Sequence, residues 1–146
     1  MKKNFLKTLI LSLSFISIST FSVQAFPINY VAGKNRYETA ALIADKLQYS
    51  SAILVNGLSL VDGLSASGLS GTLDAPILLT ETNNIPDSTL KRIEKVKTIY
   101  LVGGEGVISK NIEDKLKKLG KTIVRLGGKD RFLTSYSVAN EIEKIK

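Results

Sequence analysis

The sequence has no cysteine, no histidine and no tryptophan. Without cysteine no disulfide can staple the chain, so stability must come from a hydrophobic core, and a regular α/β core is a better expectation than a small cross-linked scaffold. Without histidine, neither a Ser-His or Cys-His nucleophile nor a histidine-based zinc site can be assembled. Charge is also missing over one long interval, because no Asp, Glu, Lys or Arg occurs between Lys7 and Lys34. That gap has the form of an export signal. Lys2, Lys3 and Lys7 give the basic start, an uncharged run rich in Leu, Ile, Phe and Ser extends from Leu9 to Phe21, and Val23-Gln24-Ala25 places compact residues at a cleavage site. Cleavage is expected after Ala25. An uncleaved anchor is the competing reading, but the serine- and threonine-dotted run is short of the ~20 apolar residues of a span. No stable membrane anchor is therefore expected after cleavage.

The remaining chain, Phe26 to Lys146, is 121 residues, enough for one compact domain and too few for two. Setting aside the three leader lysines from the 20 basic residues leaves 17 against 13 acidic ones, a net charge of +4. Such a balance favours anionic partners through long-range attraction, but it is too small and dispersed to point to nucleic acid. A soluble protein with lysines on its exposed helix faces fits the same numbers.

What the chain does have is an internal repeat. Gly33-Lys34-Asn35-Arg36-Tyr37-Glu38-Thr39-Ala40 returns as Gly128-Lys129-Asp130-Arg131-Phe132-Leu133-Thr134-Ser135, and the register continues with Leu42-Ile43-Ala44 over Ser137-Val138-Ala139. A period of this size marks a whole α/β module rather than a short solenoid unit. The domain reading is a signal peptide at 1–25, one complete module at 26–127, and the start of a second, truncated module at 128–146 packed on the first.

In chain order, Asn29 to Ala32 and Thr122 to Leu126 read as strands running into glycine turns. From Tyr37 the apolar positions 37, 40, 41, 44 and 47 follow helical spacing to about Gln48. Ala52-Ile53-Leu54-Val55 is a continuous apolar run, the mark of a strand buried on both faces, closed by Asn56-Gly57. Asp62 is expected to N-cap a second helix rich in small residues (Gly63, Ser65, Ala66, Ser67, Gly68, Ser70, Gly71), which suits close approach to a sheet or another subunit. Pro76 to Thr80 reads as another buried strand with proline at its permitted first position. Pro86 opens a third helix with Leu90, Ile93 and Val96 inward, and Thr98 to Val102 is the next strand. Ser109 is expected to cap a fourth helix with Ile112, Leu116 and Leu119 inward and Gly120 as its stop. A last helix runs from about Ser135 to Ile145. Alternating helices and apolar strands predict a three-layer α/β fold, a mostly parallel sheet with helices on both faces. Ligands of such sheets meet the carboxyl ends of the strands.

The candidate chemistry is sparse. Gly104-Glu105-Gly106-Val107-Ile108 begins like a dinucleotide fingerprint, but Ser109 replaces its third glycine, Glu105 would oppose a pyrophosphate, and Arg125 stands where an acidic residue would hold a ribose. No cofactor is expected. The acidic residues fall on different elements without a distinct pair, so catalysis is not expected either. Arg36 and Arg131 recur at helix mouths, where a guanidinium beside free N–H groups suits a phosphate or carboxylate; alternatively each pairs with a carboxylate such as Asp62 or Asp130 and pins its loop. Asp62 is a cap, or a cap and an orienting partner for Arg36.

Together GKNRYETA, VDGLSASGLSGTLDAPILLT, IYLVGGEGVIS and VRLGGKDRF make the chain resemble the cell wall binding repeat 2 family of Gram-positive surface proteins. That resemblance implies a secreted, non-catalytic module attached non-covalently to an anionic secondary polymer of the cell wall, usually in three tandem copies with a threefold arrangement. Carried onto this sequence, it implies a role for the Arg36-Tyr37 pair, for Asp62 before Leu64-Ser65-Ala66, and for Pro76, Ile77, Leu78 and Leu79 as a polymer-binding element, with Arg131 as the repeated arginine. Gly63 departs from the family's alanine. Because one module cannot form an intramolecular trio, the resemblance implies a homotrimer, assembly with longer partners, or a remnant that binds weakly. A secreted α/β enzyme acting on wall polymers is the alternative.

Overall fold

The computed structural model describes residues 30–146, so the expected leader lies outside the described residues. The described chain alternates helix and strand: α1 (Arg36–Ala44), β1 (Ser51–Asn56), α2 (Leu60–Leu73), β2 (Ile77–Thr80), α3 (Asp87–Ile93), β3 (Thr98–Val102), α4 (Lys110–Lys118), β4 (Thr122–Leu126) and α5 (Arg131–Ile145). The four strands form one parallel sheet in the order β2-β1-β3-β4.

The order follows from the side chains. The two strands with uninterrupted apolar runs, β1 and β3, take the centre, where residues 52–56 and 99–102 are buried on both faces. β2 buries alternate residues and lies at one edge, so the expectation of a second doubly buried strand does not hold there. β4, interrupted by Arg125, forms the other edge. Burying each large central side chain contributes roughly 1.5–3 kcal/mol, which outweighs what an edge position offers.

Two hydrophobic clusters sandwich the sheet. Ala44 of α1, Ile93 of α3 and Ile112 and Leu116 of α4 join Leu54, Leu78, Ile99 and Leu101 on one face. Ala66 and Leu69 of α2 and Val138 of α5 join Ile53, Val55, Tyr100 and Leu126 on the other. The fold is therefore the three-layer α/β arrangement expected. The chain moves outward from β1 to β2 through α2, then reverses toward β3 and β4 through α3 and α4 on the opposite face. A change of direction with a change of face keeps one crossover hand, as parallel sheets require.

Several local expectations need correction. Tyr30 to Gly33 adopts no strand. α2 begins at Leu60 after Ser59, so Asp62 sits inside the first turn and is not the N-cap. Ser109 precedes α4, but its hydroxyl makes no capping hydrogen bond. Leu119 lies past the end of α4 and is exposed, because the helix stops one turn short of carrying it inward.

Candidate functional site

The reversal of strand order falls between β1 and β3, and in a parallel sheet the loops leaving those two strands part there to open a crevice. A cleft of about 380 Å³ occupies this position. Its walls are Ser59, Val61 and Asp62 after β1, Gly104 to Val107 after β3, and Gly128 to Arg131 with Thr134 after β4. The amino ends of α2 and α5 thus face one opening. Lys129 and Arg131 bring positive charge to it, and Asp62, Glu105 and Asp130 bring negative charge.

The acids are not equivalent. Asp62 is buried and its Oδ2 accepts the Ser59 hydroxyl at 2.6 Å, so this carboxylate steadies the turn into α2. Asp130 N-caps α5, its Oδ1 accepting the Leu133 N–H at 2.8 Å. Asn35 does the same for α1 through the Glu38 N–H. An acceptor at this position satisfies a helix N–H that has no intrahelical partner. Each turn before the cap needs glycine by close approach: a Cβ on Gly33 would lie 2.4 Å from the Glu38 Cβ, and one on Gly128 would lie 2.2 Å from the Leu133 Cβ.

The two repeated arginines do different things. Arg36 donates from Nη1 to the Gly57 carbonyl at 2.7 Å, and the Tyr37 ring lies against the same turn, where a Cβ on Gly57 would come within 2.9 Å of it. The expected pairing of Arg36 with Asp62 does not occur; the arginine holds the β1 turn through its backbone instead. Arg131 stacks near the Phe132 ring at 5.9 Å and, among the described residues, makes no ion pair with Asp130 or any other carboxylate. The repeat explains the difference. The turn that would stand to Arg131 as Gly57 stands to Arg36 falls beyond Lys146.

Pro76, Ile77, Leu78 and Leu79 lie away from this cleft, entering and forming edge strand β2. Pro76 and Leu78 are buried, Leu78 completely, while Ile77 and Leu79 are half-buried and pack under the opposite face. Any influence of Leu78 on a ligand therefore runs through the fold.

Two groups that frame the cleft were not singled out by the sequence reading. Asn56, buried at the end of β1, donates from Nδ2 to the Val107 carbonyl at 2.7 Å and to the Thr82 hydroxyl at 3.0 Å, and its Oδ1 accepts the Leu58 N–H. Arg125 donates from Nη1 to the Gly103 and Ile108 carbonyls, both at 3.0 Å, and from Nε to Glu113 at 2.8 Å. Burial pushes the Glu113 carboxyl up, but hydrogen bonds from Lys110, Lys117 and Arg125 outweigh it and hold the pKa at about 2. An arginine among apolar strand residues was the available signal for this cluster.

Residues 31–113 match the family described as Cell wall binding domain 2 (CWB2). The chain belongs to this CWB2 family. It is similar to the N-acetylmuramoyl-L-alanine amidase LytC of Bacillus subtilis (strain 168), 32% identical over 137 residues that cover 89% of the chain and 28% of the amidase. It is also similar to the Amidase enhancer of the same organism, 36% identical over 116 residues, with coverage of 76% and 16%. Among solved structures it resembles Cwp6 from Clostridium difficile, with a TM-score of 0.76 and 33% identity over 88% of the chain and 22% of Cwp6. Cwp8 from the same organism gives 0.75 and 30%, over 95% of the chain and 24% of Cwp8. The chain spans less than a third of each of these proteins. CWB2 membership makes it a wall-binding domain with the cell wall or cell surface as its location, and makes binding rather than catalysis the role of the fold. Among the described residues no helix is long and apolar enough to cross a membrane, and no three metal-ligating side chains gather.

Proposed function

We propose that this chain is a secreted, non-catalytic CWB2 module that holds its protein to the wall by non-covalent binding of an anionic secondary wall polymer. The observation that carries this reading is the Arg131 guanidinium, which borders the switch-point cleft without a carboxylate partner among the described residues. Phosphate or carboxylate groups along a polymer match it, with Lys129 adjacent and the first N–H groups of α5 behind. The acids of the cleft restrict where the polymer lies: it meets the α5 rim rather than the Asp62 floor. Arg36, Tyr37 and Asp62 keep the loops in place, and Pro76 to Leu79 keep the edge of the sheet. Residues 26–127 form the module in this reading, and 128–146 are the beginning of a second that closes over the first.

Co-sedimentation of the chain with isolated cell walls, before and after extraction of their anionic polymer, tests the proposal. Binding that disappears on extraction and weakens with salt is the expected result. Equal binding to extracted walls excludes the anionic polymer, and shortening of the polymer during incubation excludes a purely binding role.

A further inference from the structure

Helices α1 and α5 start from the same motif and share the same entry geometry. The Gly33 N–H donates to the Thr39 hydroxyl at 3.0 Å, and the Gly128 N–H to the Thr134 hydroxyl at 3.2 Å. They nevertheless bury different faces. α1 buries Ala41 and Ala44 on the side of the sheet covered by α3. α5 buries Val138, with Ile142 beside it, against α2 and the opposite side of the sheet. In the register that sets Gly33 on Gly128, Ile43 stands at the Val138 position and Leu47 at the Ile142 position. Val138 is 2% exposed, whereas Ile43 and Leu47 are 50% and 46% exposed. Conversely, Tyr136 corresponds to buried Ala41 and is 64% exposed. The repeated helix has two apolar faces, and each copy here uses one of them.

We infer that the Ile43–Leu47 face of α1 is a docking surface for the glycine- and serine-rich second helix of a preceding CWB2 module, seated there as α5 is seated on α2. The occupant is defined by what the equivalent face already covers within this chain. Gly68 of α2 lets Ile142 lie close to the helix backbone, since a Cβ there would stand 3.3 Å from the Ile142 Cδ1. Leu47 offers an aliphatic end at the same position. A single copy cannot accept another copy's α1 while its own α5 fills that place, so α5 caps this chain against head-to-tail growth. The partner is a module whose Val138 position is vacated, as when the next module follows directly in one polypeptide.

A tandem protein tests this: residues 1–127 of one copy joined to residues 33–146 of a second, so that the second α1 replaces the first α5. Ile43→Lys in the second copy should lower the unfolding midpoint by roughly 5–10 °C, while the same substitution in the first copy leaves it unchanged. Equal effects in both copies, or no effect in the second, overturn the inference. The natural chain supplies an independent arm. Val138→Ile combined with Ile142→Leu gives α5 the α1 side chains, and should preserve its midpoint where Val138→Lys lowers it. A double variant as unstable as Val138→Lys shows that the α1 face does not fit α2. The inference relies on CWB2 membership and not on the polymer, and neither arm contains wall material, so loss of wall binding leaves it standing.

Discussion

The Arg36 guanidinium donates to the Gly57 carbonyl at 2.7 Å, across 21 positions of sequence. This bond joins the mouth of α1 to the turn after β1, and it gives the arginine of the first repeat a mechanical task. Arg36→Ala is expected to destabilise the chain by about 1–2 kcal/mol, the usual range for a charge-assisted hydrogen bond with partial exposure. Arg131→Ala should change stability by less than about 0.5 kcal/mol yet weaken wall binding and flatten its salt dependence. Denaturant titration beside co-sedimentation at two salt concentrations separates the two. Reversed effects would exchange the roles assigned to the arginines.

Gly57 is held between that guanidinium and the Tyr37 ring, and its N–H donates to the Thr80 carbonyl at 2.8 Å. A methyl group must displace the ring or the turn. Gly57→Ala should therefore cost about 1–3 kcal/mol, read as a lowered urea midpoint with unchanged slope. Tyr37→Ala in the same background should recover part of the loss, because it removes the obstructing ring.

Glu113 makes stability depend on acidity. Its carboxyl titrates near 2 in the folded chain, below its ordinary value of 4.5. A depressed folded pKa stabilises above the unfolded value and loses that contribution as pH falls from about 4.5 toward 2. Up to about 3 kcal/mol is involved, and Glu113→Gln should remove most of this acid dependence while lowering stability at neutral pH. Thermal unfolding of both proteins at pH 7 and pH 3 checks it: the gap between them should narrow in acid.

Leu78 is completely buried between α1, α3 and the sheet. Leu78→Ala should cost about 2–5 kcal/mol through the cavity it leaves. Wall binding per folded molecule should stay near the natural level, since the side chain has no exposed surface. A variant that remains folded but loses binding would place Leu78 in the ligand path.

The elements differ in how openly the sequence carried them. The apolar runs at 52–55 and 99–102 marked central strands because nothing but burial on both faces tolerates four such residues in a row. The edge position of β2 was hidden, since Ile77-Leu78-Leu79 looks just as apolar; only the absence of a neighbour beyond it decides that Ile77 and Leu79 stay half-covered. The start of α2 was misplaced at Asp62 because serine and aspartate both suit a cap, and their mutual hydrogen bond settles which one begins the helix. Asn56 looked like a plain turn residue, although its amide ties together three loops that are distant in sequence.

By itself the sequence determined the alternation of helices and strands, the repeat and the family, because apolar periodicity and turn residues act locally and are written in order. The tertiary structure decided which arginine is tied and which borders the cleft without a carboxylate partner, and which face of each repeated helix is buried. Those outcomes depend on where Gly57 and Gly68 come to rest against residues far along the chain. Identical motifs diverge when only one of them has its neighbours within the same polypeptide.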